Sequence, residues 1–437
     1  MSGFGGFPIV QGERLLVRDE AEAREAVVAD GPLIPQGNCR SYGDACLGPR
    51  VASVRPMARV LSLDENEGVL RAEAGVTMGE VIDAVLPRGW FPPVTPGTMH
   101  CTLGGCVAAD VHGKNHHVDG SFGRFVESLS MILPNGDAAR CSRSERPELF
   151  QATIGGMGLT GIVVEVELRL RRVRSGYIDQ RATRVRNLDE CCDALEGALG
   201  EATYSVAWLD CIAGGASRGR GILLTGEHSD AEGLPGSGDP LAPARRRAKR
   251  VGPIRLGRVL NRYSIRLFNE LYYRVPRASA AVSFEPFFYP LDVLDGWNRL
   301  YGKRGFLQYQ FVVPFENGRE VLREALDRID RGTPGIFLAV LKTFGEQEGL
   351  LSFPMPGYTL AADIPRRGSK LEATLRDVNR LVCEAGGRIY LAKDAILDAR
   401  DFETMYPRHE EFRAICAEVD PEGRFRSSLS DRVGLTR

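Results

Sequence analysis

Glycine is concentrated in one part of this chain, residues 30–175, where short apolar runs alternate with glycine-rich segments. The densest segments read GPLIPQGNCRSYGDACLG, PGTMHCTLGGCVAADVHGKNHHVDGSFG and ATIGGMGLTGIVVEVELRLRRV. Glycine has no Cβ atom, so it is favoured where the backbone turns sharply or lies close to another molecule. The glycine content therefore predicts a domain whose loops pack closely against something bound.

Two secondary-structure elements can be placed by local pattern. Residues 77–86 form a predicted helix, because apolar residues recur at helical spacing, Thr77 and Glu80 match a capping box, and Pro87 follows. Residues 161–173 alternate apolar and charged side chains with a period of two. That alternation predicts a half-buried strand.

The glycines also contain one formal match to the GxGxxG fingerprint, at Gly156, Gly158 and Gly161. In a Rossmann domain these glycines open a helix whose N-terminus meets a pyrophosphate, whereas here they lead directly into the predicted strand. The sequence also lacks a GxxxxGK[ST] motif. A doubly wound dinucleotide fold and a Walker-type nucleotide site are therefore not expected.

Two other segments suit a diphosphate better. Residues 35–45 form a predicted tight turn rich in backbone N–H groups and small side chains, and residues 96–98 and 102–105 repeat this chemistry about 60 positions later. Each segment alone is compatible with an ordinary surface turn. Together they predict two loops that close on one diphosphate.

Composition bounds the remaining possibilities. With 56 Lys+Arg against 57 Asp+Glu, the net charge of −1 provides no overall field for nucleic acid binding. The ten cysteines include no CxxC pair, which favours reduced, buried thiols in a reducing compartment. No run of 18 apolar residues and no signal-peptide pattern is present. We therefore expect a cytoplasmic chain that does not span a membrane.

Six motifs occur in an order and spacing that resemble one known family. They are PQGNCRSYGD, PGTMHCTLGG, ADVHGKNHHVDGSFG, GGMGLTGI, FLQYQFVVP and RIYLAKD. In these motifs the sequence resembles the vanillyl-alcohol oxidase superfamily of FAD enzymes, and the resemblance covers nearly the whole chain. Within that superfamily it is most similar to the oxidases of polyprenyl-phosphate pentoses.

The resemblance implies an α+β fold of two domains. A FAD-binding domain of the PCMH type is expected over residues 1–175, and a substrate-binding cap with an antiparallel sheet over residues 176–387. The C-terminal segment, residues 388–437, is expected to return to the FAD-binding domain.

The resemblance also implies which residues bind FAD. The first loop would hold the diphosphate with Gly97 and residues 102–105, while residues 109–112 would lie near the flavin, Ile162 near the adenine and Tyr390 on the far wall. The implied set is Pro35, Gln36, Gly37, Asn38, Cys39, Arg40, Ser41, Tyr42, Gly43, Asp44, Ala45, Gly97, Thr102, Leu103, Gly104, Gly105, Ala109, Asp110, Val111, His112, Ile162 and Tyr390.

Three positions depart from patterns common in the superfamily. Tyr42 stands where many members carry a histidine bonded to the flavin, so the resemblance implies FAD that is not covalently attached. Cys39 stands where a glycine is usual in the first loop. Ala361 stands where the best-known mycobacterial relatives have a cysteine, so thiol-directed covalent inhibitors of those relatives are expected to fail on this chain.

Two residues are candidates for the chemistry of alcohol oxidation. A reduced flavin carries negative charge at one edge, which a cation stabilises, and Lys393 in the predicted apolar strand IYLAKD is our candidate. The alternatives for Lys393 are a pair with Asp394 or a position in solvent. His112, predicted at a strand end, would orient the substrate or take its proton, or else be a satisfied core histidine. The flanking sequence Gly-Lys-Asn gives His112, His116 and His117 no metal-site pattern.

Three further residues are candidates for substrate binding, together with Lys393. Gln308 and Gln310 share one face of a predicted strand and suit sugar hydroxyls, whereas Lys342 suits a phosphate. Each is also compatible with an exposed surface position. By analogy with the family, all three line the pocket.

The resulting hypothesis is oxidation of a secondary sugar hydroxyl, the 2-hydroxyl of a polyprenyl-phosphate pentose. A separate NAD(P)H-dependent reductase would then complete an epimerisation. The alternatives are an oxidase of free sugars or aldonolactones, a flavoprotein that reduces a double bond, and a flavin-binding protein without turnover.

A cluster of basic residues stands apart from the predicted site. It consists of Arg245, Arg246, Arg247, Lys249, Arg250, Arg255 and Arg258, in a predicted long connection. It is either a solvated loop or a peripheral contact with anionic lipid, where clustered cations are favoured.

Overall fold

The glycine-rich region folds around two small sheets in the computed structural model, which describes residues 1–232, 234, 238–251, 261–275, 279–333, 335–367 and 370–436. Its strands are β1 (Glu13–Leu16), β2 (Ile34–Gln36), β3 (Arg50–Ser53), β4 (Val60–Asp64), β5 (Val69–Glu73), β6 (Trp90–Phe91), β7 (Val126–Ile132), β8 (Ala138–Ser142), β9 (Ile162–Arg169) and β10 (Arg171–Arg172). Its helices are α1 (Glu20–Val28), α2 (Met78–Val85), α3 (Leu103–Ala108), α4 (His116–Asp119) and α5 (Pro147–Thr153).

Both local predictions in this region are confirmed. Helix α2 is capped by Thr77, whose side chain accepts from the Glu80 N–H while the Glu80 side chain binds the Thr77 N–H. Strand β9 begins with three buried residues and then, from Val164 to Arg169, alternates buried and more exposed positions, as the period of two predicts. It lies at the centre of the five-stranded antiparallel sheet β4-β5-β9-β7-β8, beside the parallel sheet β1-β3-β2.

A larger antiparallel sheet follows in the chain. Its strands and neighbours are β11 (Tyr177–Val185), β12 (Tyr204–Leu209), β13 (Gly221–His228), β14 (Lys249–Arg250), β15 (Ala280–Ser283), β16 (Leu294–Asp295), β17 (Phe306–Val313), β18 (Leu338–Phe344) and β19 (Gly357–Pro365). The helices are α6 (Leu188–Gly197), α7 (Arg262–Arg274), α8 (Phe284–Phe288), α9 (Phe315–Gly332) and α10 (Leu371–Glu384).

This sheet has the order β15-β11-β13-β12-β18-β19-β17, with β20 (Arg388–Ile389) at its edge. Helices α6, α9 and α10 pack on one face, where the Tyr309 hydroxyl donates to Asn379 of α10 at 2.7 Å. Gln308 and Gln310, on the other face of β17, are directed toward the glycine-rich region. This face of the sheet therefore forms a wall that faces the loops of the glycine-rich region.

The C-terminal chain returns to the beginning of the protein through α11 (Ala399–Met405), α12 (His409–Val419) and α13 (Ser428–Val433). Leu33 exchanges backbone hydrogen bonds with Arg424 and Arg426, at 2.7 and 3.0 Å. The helices and antiparallel sheets agree with the predicted α+β class, while the domain limits at 175 and 387 stay a prediction. In the described part of the chain, no helix combines the length and apolarity needed to cross a bilayer.

Candidate active site

The first loop, residues 35–45, whose first two residues belong to β2, is fastened to the C-terminal part of the chain. The Tyr42 N–H donates to the Ala392 carbonyl at 3.1 Å, and an added Cβ at Gly43 would lie 1.6 Å from the Asp394 carbonyl oxygen. Cys39 adopts φ +51°, a left-handed conformation that glycine accepts most easily. The loop thus keeps a conformation suited to glycine although a cysteine occupies the position.

The same loop presents backbone donors that the protein does not use. The N–H groups of Asn38, Cys39, Arg40 and Ser41 donate no hydrogen bond to any described residue. Consecutive N–H groups of this kind form a concave site for an anion. The donors fit a diphosphate.

The second loop, residues 96–102, and α3 complete the concave anion site formed by the first loop. The Asn38 amide donates to the His100 carbonyl at 2.9 Å, and an added Cβ at Gly37 would lie 2.1 Å from Thr102 Oγ1. Thr102 caps α3 through the Gly105 N–H, and a Cβ added at Gly97 would meet no protein atom within 4 Å. The residues present therefore fit the diphosphate of FAD, as the sequence predicted.

Other residues of the predicted cofactor set make contacts within the protein. The Gln36 amide donates to the Cys46 carbonyl at 2.9 Å, and the Asp44 carboxylate is bound by Arg432. Leu103 and Ile162 have fully buried side chains in the core beneath the loops. Their contacts with FAD stay predictions.

Arg432 ties the first loop to the C-terminal segment. Its guanidinium binds Asp44 at 2.7 Å and Asp394 at 2.8 Å, and both carboxylates are buried. No sequence signal marks Arg432, because its partners lie 388 and 38 positions away.

We expect Arg432→Met to lower the free energy of unfolding by about 3–5 kcal/mol, because two buried carboxylates would lose their counter-ion. Arg426→Met, which breaks an exposed pair with Asp431, is the matched control and should cost less than about 1 kcal/mol. Urea unfolding measures both. Equal losses in the two variants would contradict the structural role of Arg432.

Lys393 lies in a short 3-10 turn, residues 391–393, so the predicted strand position is wrong. Strand β20 ends at Ile389, and the Lys393 N–H turns back to the Tyr390 carbonyl at 2.9 Å. Asp394 is bound to Arg432, so the alternative pair of Lys393 with Asp394 is not formed. The half-buried Lys393 instead places Nζ 5.6 Å from the centre of the Tyr42 ring.

The pKa of Lys393 lies close to neutral pH. Burial lowers the pKa of Lys393 to about 8, whereas the negative charge of Asp363 acts to raise it. Burial also raises the pKa of Asp363 to about 7, while its hydrogen bond from Gln308 and the charge of Lys393 act in the other direction. At neutral pH the lysine is therefore mostly protonated.

His112 follows α3 and a turn, and only a single bridge to Ser121 gives it strand character. The predicted strand end is therefore wrong, because the apolar residues before His112 form a helix. The ring is buried against Phe344 and Tyr390, with centroids 4.8 and 4.9 Å away, and Nε2 lies 3.0 Å from Gln310 Nε2.

The electrostatic state of His112 is set by its surroundings. Burial lowers the pKa of His112 well below its usual value, and the charges of Lys342 and Lys393 lower it further. Nδ1 is buried without a hydrogen-bond partner among the described residues. His112 is therefore neutral and is not the satisfied core histidine of the alternative interpretation.

The two glutamines of β17 are buried rather than exposed. Gln308 donates to Asp363 Oδ1 at 2.6 Å, and Gln310 donates to Thr359 Oγ1 at 3.0 Å. Both amide oxygens lack a partner among the described residues. A buried amide oxygen without a partner can accept a hydrogen bond from a ligand hydroxyl.

Two further lysines approach this wall. Lys342 donates to the Gly113 carbonyl at 3.2 Å, and burial together with the charges of Lys393 and Lys114 lowers its pKa well below the usual value. Burial lowers the pKa of Lys114 to about 7, and its ammonium lies 4.5 Å from the Phe287 ring centre. The structure thus gathers amines whose charged forms a bound anion would stabilise.

Asp363, Thr359 and Lys114 were absent from the sequence prediction. Asp363 had a readable signal, because a charged residue in the apolar strand GYTLAADIP is as unusual as the lysine of IYLAKD. Ala361 lies between Thr359 and Asp363 on β19, where it is buried and directly opposite Gln310. A thiol at position 361 would therefore belong to this wall, and the chain has none there.

Comparison with known proteins shows the family of this chain. The chain is 35% identical to a decaprenylphosphoryl-β-D-ribose oxidase of Mycolicibacterium smegmatis over 95% of its own length and 92% of that protein. It belongs to the vanillyl-alcohol oxidase family of FAD-linked oxidoreductases. As a member of that family, it is an FAD-dependent oxidoreductase acting on a CH–OH group.

Other matches agree with this membership. The profile described as FAD binding domain matches residues 17–142, and that of D-arabinono-1,4-lactone oxidase matches residues 364–433. An uncharacterised Streptomyces coelicolor protein is 35% identical over 82% of this chain and all of its own length. Human Δ24-sterol reductase is 30% identical over only 30% of this chain and 26% of its own length. The predicted FAD cofactor and two-domain vanillyl-alcohol oxidase fold are confirmed.

Proposed function

We propose that this chain oxidises the 2-hydroxyl of a polyprenyl-phosphate pentose to a ketone. The observation that carries the proposal is the similarity over nearly the whole of both chains to the decaprenylphosphoryl-β-D-ribose oxidase. The keto sugar would be the substrate of a separate NAD(P)H-dependent reductase, which would complete an epimerisation.

FAD bound at the first two loops would accept the hydride of the alcohol carbon, and the hydroxyl proton would be released to water as the ketone forms. Lys393 then stabilises negative charge that develops beside it, because the protonated ammonium is held in a half-buried position. Tyr390, whose hydroxyl donates to the Ala109 carbonyl at 2.9 Å, fixes the wall next to this position.

The remaining residues orient the sugar. Gln308 and Gln310 offer their amide oxygens to hydroxyl groups, and Lys342, whose pKa burial lowers, becomes the charged partner of the phosphate when that anion binds. His112 has a pKa well below neutrality, which makes it a weak proton acceptor and favours orientation of the hydroxyl over removal of its proton.

We also propose that FAD is held without a covalent bond. Tyr42 packs between Phe4 and Phe306, with ring centroids 5.5 and 5.6 Å away, at the position where a tethering histidine is implied in relatives. Acid precipitation of the purified protein should leave a yellow supernatant. Flavin that stays in the pellet would contradict this.

A pH dependence follows from the pKa of Lys393. Because the cation is present below pH about 8 and lost above it, the rate of flavin reduction by substrate should fall as the pH rises through that value. Asp363 raises the pKa of Lys393, so Asp363→Asn should move this decline to lower pH. Stopped-flow reduction across pH measures both. A decline that does not move in Asp363→Asn would exclude Lys393 as its origin.

The second candidate is an oxidase of a soluble aldonolactone, favoured by the profile match at residues 364–433. The two candidates predict opposite preferences. Under the main proposal, the polyprenyl-phosphate pentose has the higher kcat/KM and the free lactone reduces the flavin poorly. The reverse order would replace the main proposal with the lactone oxidase.

We further propose a peripheral contact with anionic lipid through the exposed residues Arg246, Arg247, Lys249 and Arg250. Arg245 is excluded, because it forms ion pairs with Asp83 and Glu285, and Arg255 and Arg258 lie outside the described residues. Clustered cations gain on the order of 1 kcal/mol each near an anionic surface. Replacing the four residues with glutamine should weaken sedimentation with anionic vesicles at low salt. Unchanged sedimentation would exclude this contact.

A further inference from the structure

Helix α7 has an inverted distribution of side chains. A surface helix normally turns its apolar stripe toward the core. In α7 and its C-cap, the large apolar residues are exposed instead: Tyr263 (85% exposed), Leu267 (64%), Phe268 (49%), Leu271 (59%) and Val275 (54%). At 3.6 residues per turn, these five positions cover an arc of about 140°.

The inner face of α7 is held largely by polar contacts. The buried Asn269 donates to Asp210 at 2.7 Å, and Arg220 bridges Asp210 and Glu270 at 2.9 and 2.6 Å. Ile265 is the other buried residue of the helix. Because these contacts fix the rotation of the helix about its axis, the apolar stripe is held outward.

The exposed arginines of α7 differ in their partners. Arg262 binds Asp330 at 2.9 Å and Arg274 binds Glu270 at 2.5 Å, whereas the exposed Arg266 forms no ion pair with a described residue. Arginine flanking an exposed stripe of tyrosine, leucine and phenylalanine is the pattern of a helix that lies in a membrane interface.

A series of ring contacts connects this stripe with the candidate active site. Phe268 contacts Phe337 with centroids 6.1 Å apart, and Phe337 contacts Tyr301 at 6.0 Å. Tyr301 stacks on Phe306 at 4.1 Å, and Phe306 contacts Tyr42 at 5.6 Å. A continuous series of packed rings thus connects the exposed helix with Tyr42, the residue beside Lys393.

We propose that α7 is a membrane-docking helix, which inserts its exposed stripe into the interface of an anionic bilayer. The inference rests on the proposed function, because a polyprenyl-linked substrate resides in a membrane. It adds an apolar surface to the basic contact proposed above, and the two differ in their response to salt. Insertion of apolar side chains persists at high salt, whereas the contact of the basic cluster is screened.

The test compares two triple variants in which exposed apolar residues become glutamine. The first carries Tyr263→Gln, Leu267→Gln and Leu271→Gln. The control carries Ile9→Gln, Leu16→Gln and Val28→Gln, whose native side chains are exposed by 77%, 52% and 55%. Because all six are exposed, neither variant removes buried core contacts.

The holoenzyme is sedimented with vesicles of equal parts phosphatidylglycerol and phosphatidylcholine, at low and high salt. Wild type and control should bind in both conditions, and the α7 variant should lose affinity by a factor on the order of ten or more. Equal binding by the α7 variant overturns the proposal. A second result also overturns the proposal. In that result, wild type does not sediment with vesicles, and light scattering shows a wild-type dimer that is absent in the α7 variant. The stripe would then bind a second copy of the chain.

Flavin reduction by detergent-dispersed decaprenylphosphoryl-β-D-ribose separates this inference from the proposed function. The α7 variant should be reduced at the wild-type rate in detergent and more slowly than wild type with substrate in vesicles. Equal rates with vesicle substrate overturn the α7 inference alone. If the wild type is not reduced in detergent, the proposed function fails, and the sedimentation result still decides the role of α7.

Discussion

Replacing Lys393 with methionine is expected to slow flavin reduction by substrate by a factor on the order of 10²–10³, with FAD still bound. Methionine keeps the length and packing of the side chain beside the Tyr42 ring but removes the ammonium. The effect is expected to be large because Lys393 is half-buried, so water screens its charge weakly.

The measurement is anaerobic stopped-flow reduction, with FAD content recorded from the absorbance of the purified protein. Lys303→Met, at an exposed lysine, is the control and should leave the rate unchanged. If Lys393→Met is reduced as fast as wild type, the charge of Lys393 has no part in the reaction. A rate lost only because FAD is missing would show instead that Lys393 supports cofactor binding.

The second large effect is expected from Gly43→Ala, which should give protein that lacks FAD and is less stable. The added Cβ would lie 1.6 Å from the Asp394 carbonyl oxygen, so the first loop has to move away from the C-terminal segment. That movement breaks the hydrogen bond from Tyr42 to Ala392 and displaces the adjacent N–H donors. We expect unfolding to become easier by about 3 kcal/mol, the upper range for an overpacked site.

Gly197→Ala is the matched control, because no atom lies within 4 Å of its added Cβ. FAD content per polypeptide and the urea midpoint report the two consequences separately. Full FAD content in Gly43→Ala would contradict the role assigned to the first loop.

Local features of the fold were readable in the sequence. The capping box of α2 and the alternation of β9 are encoded within a few residues, so pattern alone predicts them. The position of Lys393 was not readable, because β20 stops when Tyr390 and Lys393 enter a turn that depends on contacts with β17. An apolar run of this length fits either conformation.

The composition of the site was predictable in part. Its motifs identified residues that do come together, such as Gln310 and His112, which lie 198 positions apart in the chain. The ion pair of Arg432 with Asp44 has no local sequence signal, and neither has the outward rotation of α7. Each depends on partners that the tertiary fold brings close. A helix with an apolar stripe is expected to bury it, and the inward contacts of Asn269, Glu270 and Ile265 explain why α7 does not.

The proposed function requires that hydride leave the C2 position of a lipid-linked pentose. Anaerobic mixing of the holoenzyme with decaprenylphosphoryl-β-D-ribose carrying deuterium at C2 or at C3, followed at the oxidised-flavin band at about 450 nm, measures this transfer. We expect bleaching that deuterium at C2 slows and deuterium at C3 does not. An absorbance that no sugar or lactone bleaches, while a reduced nicotinamide does, would contradict the proposed function.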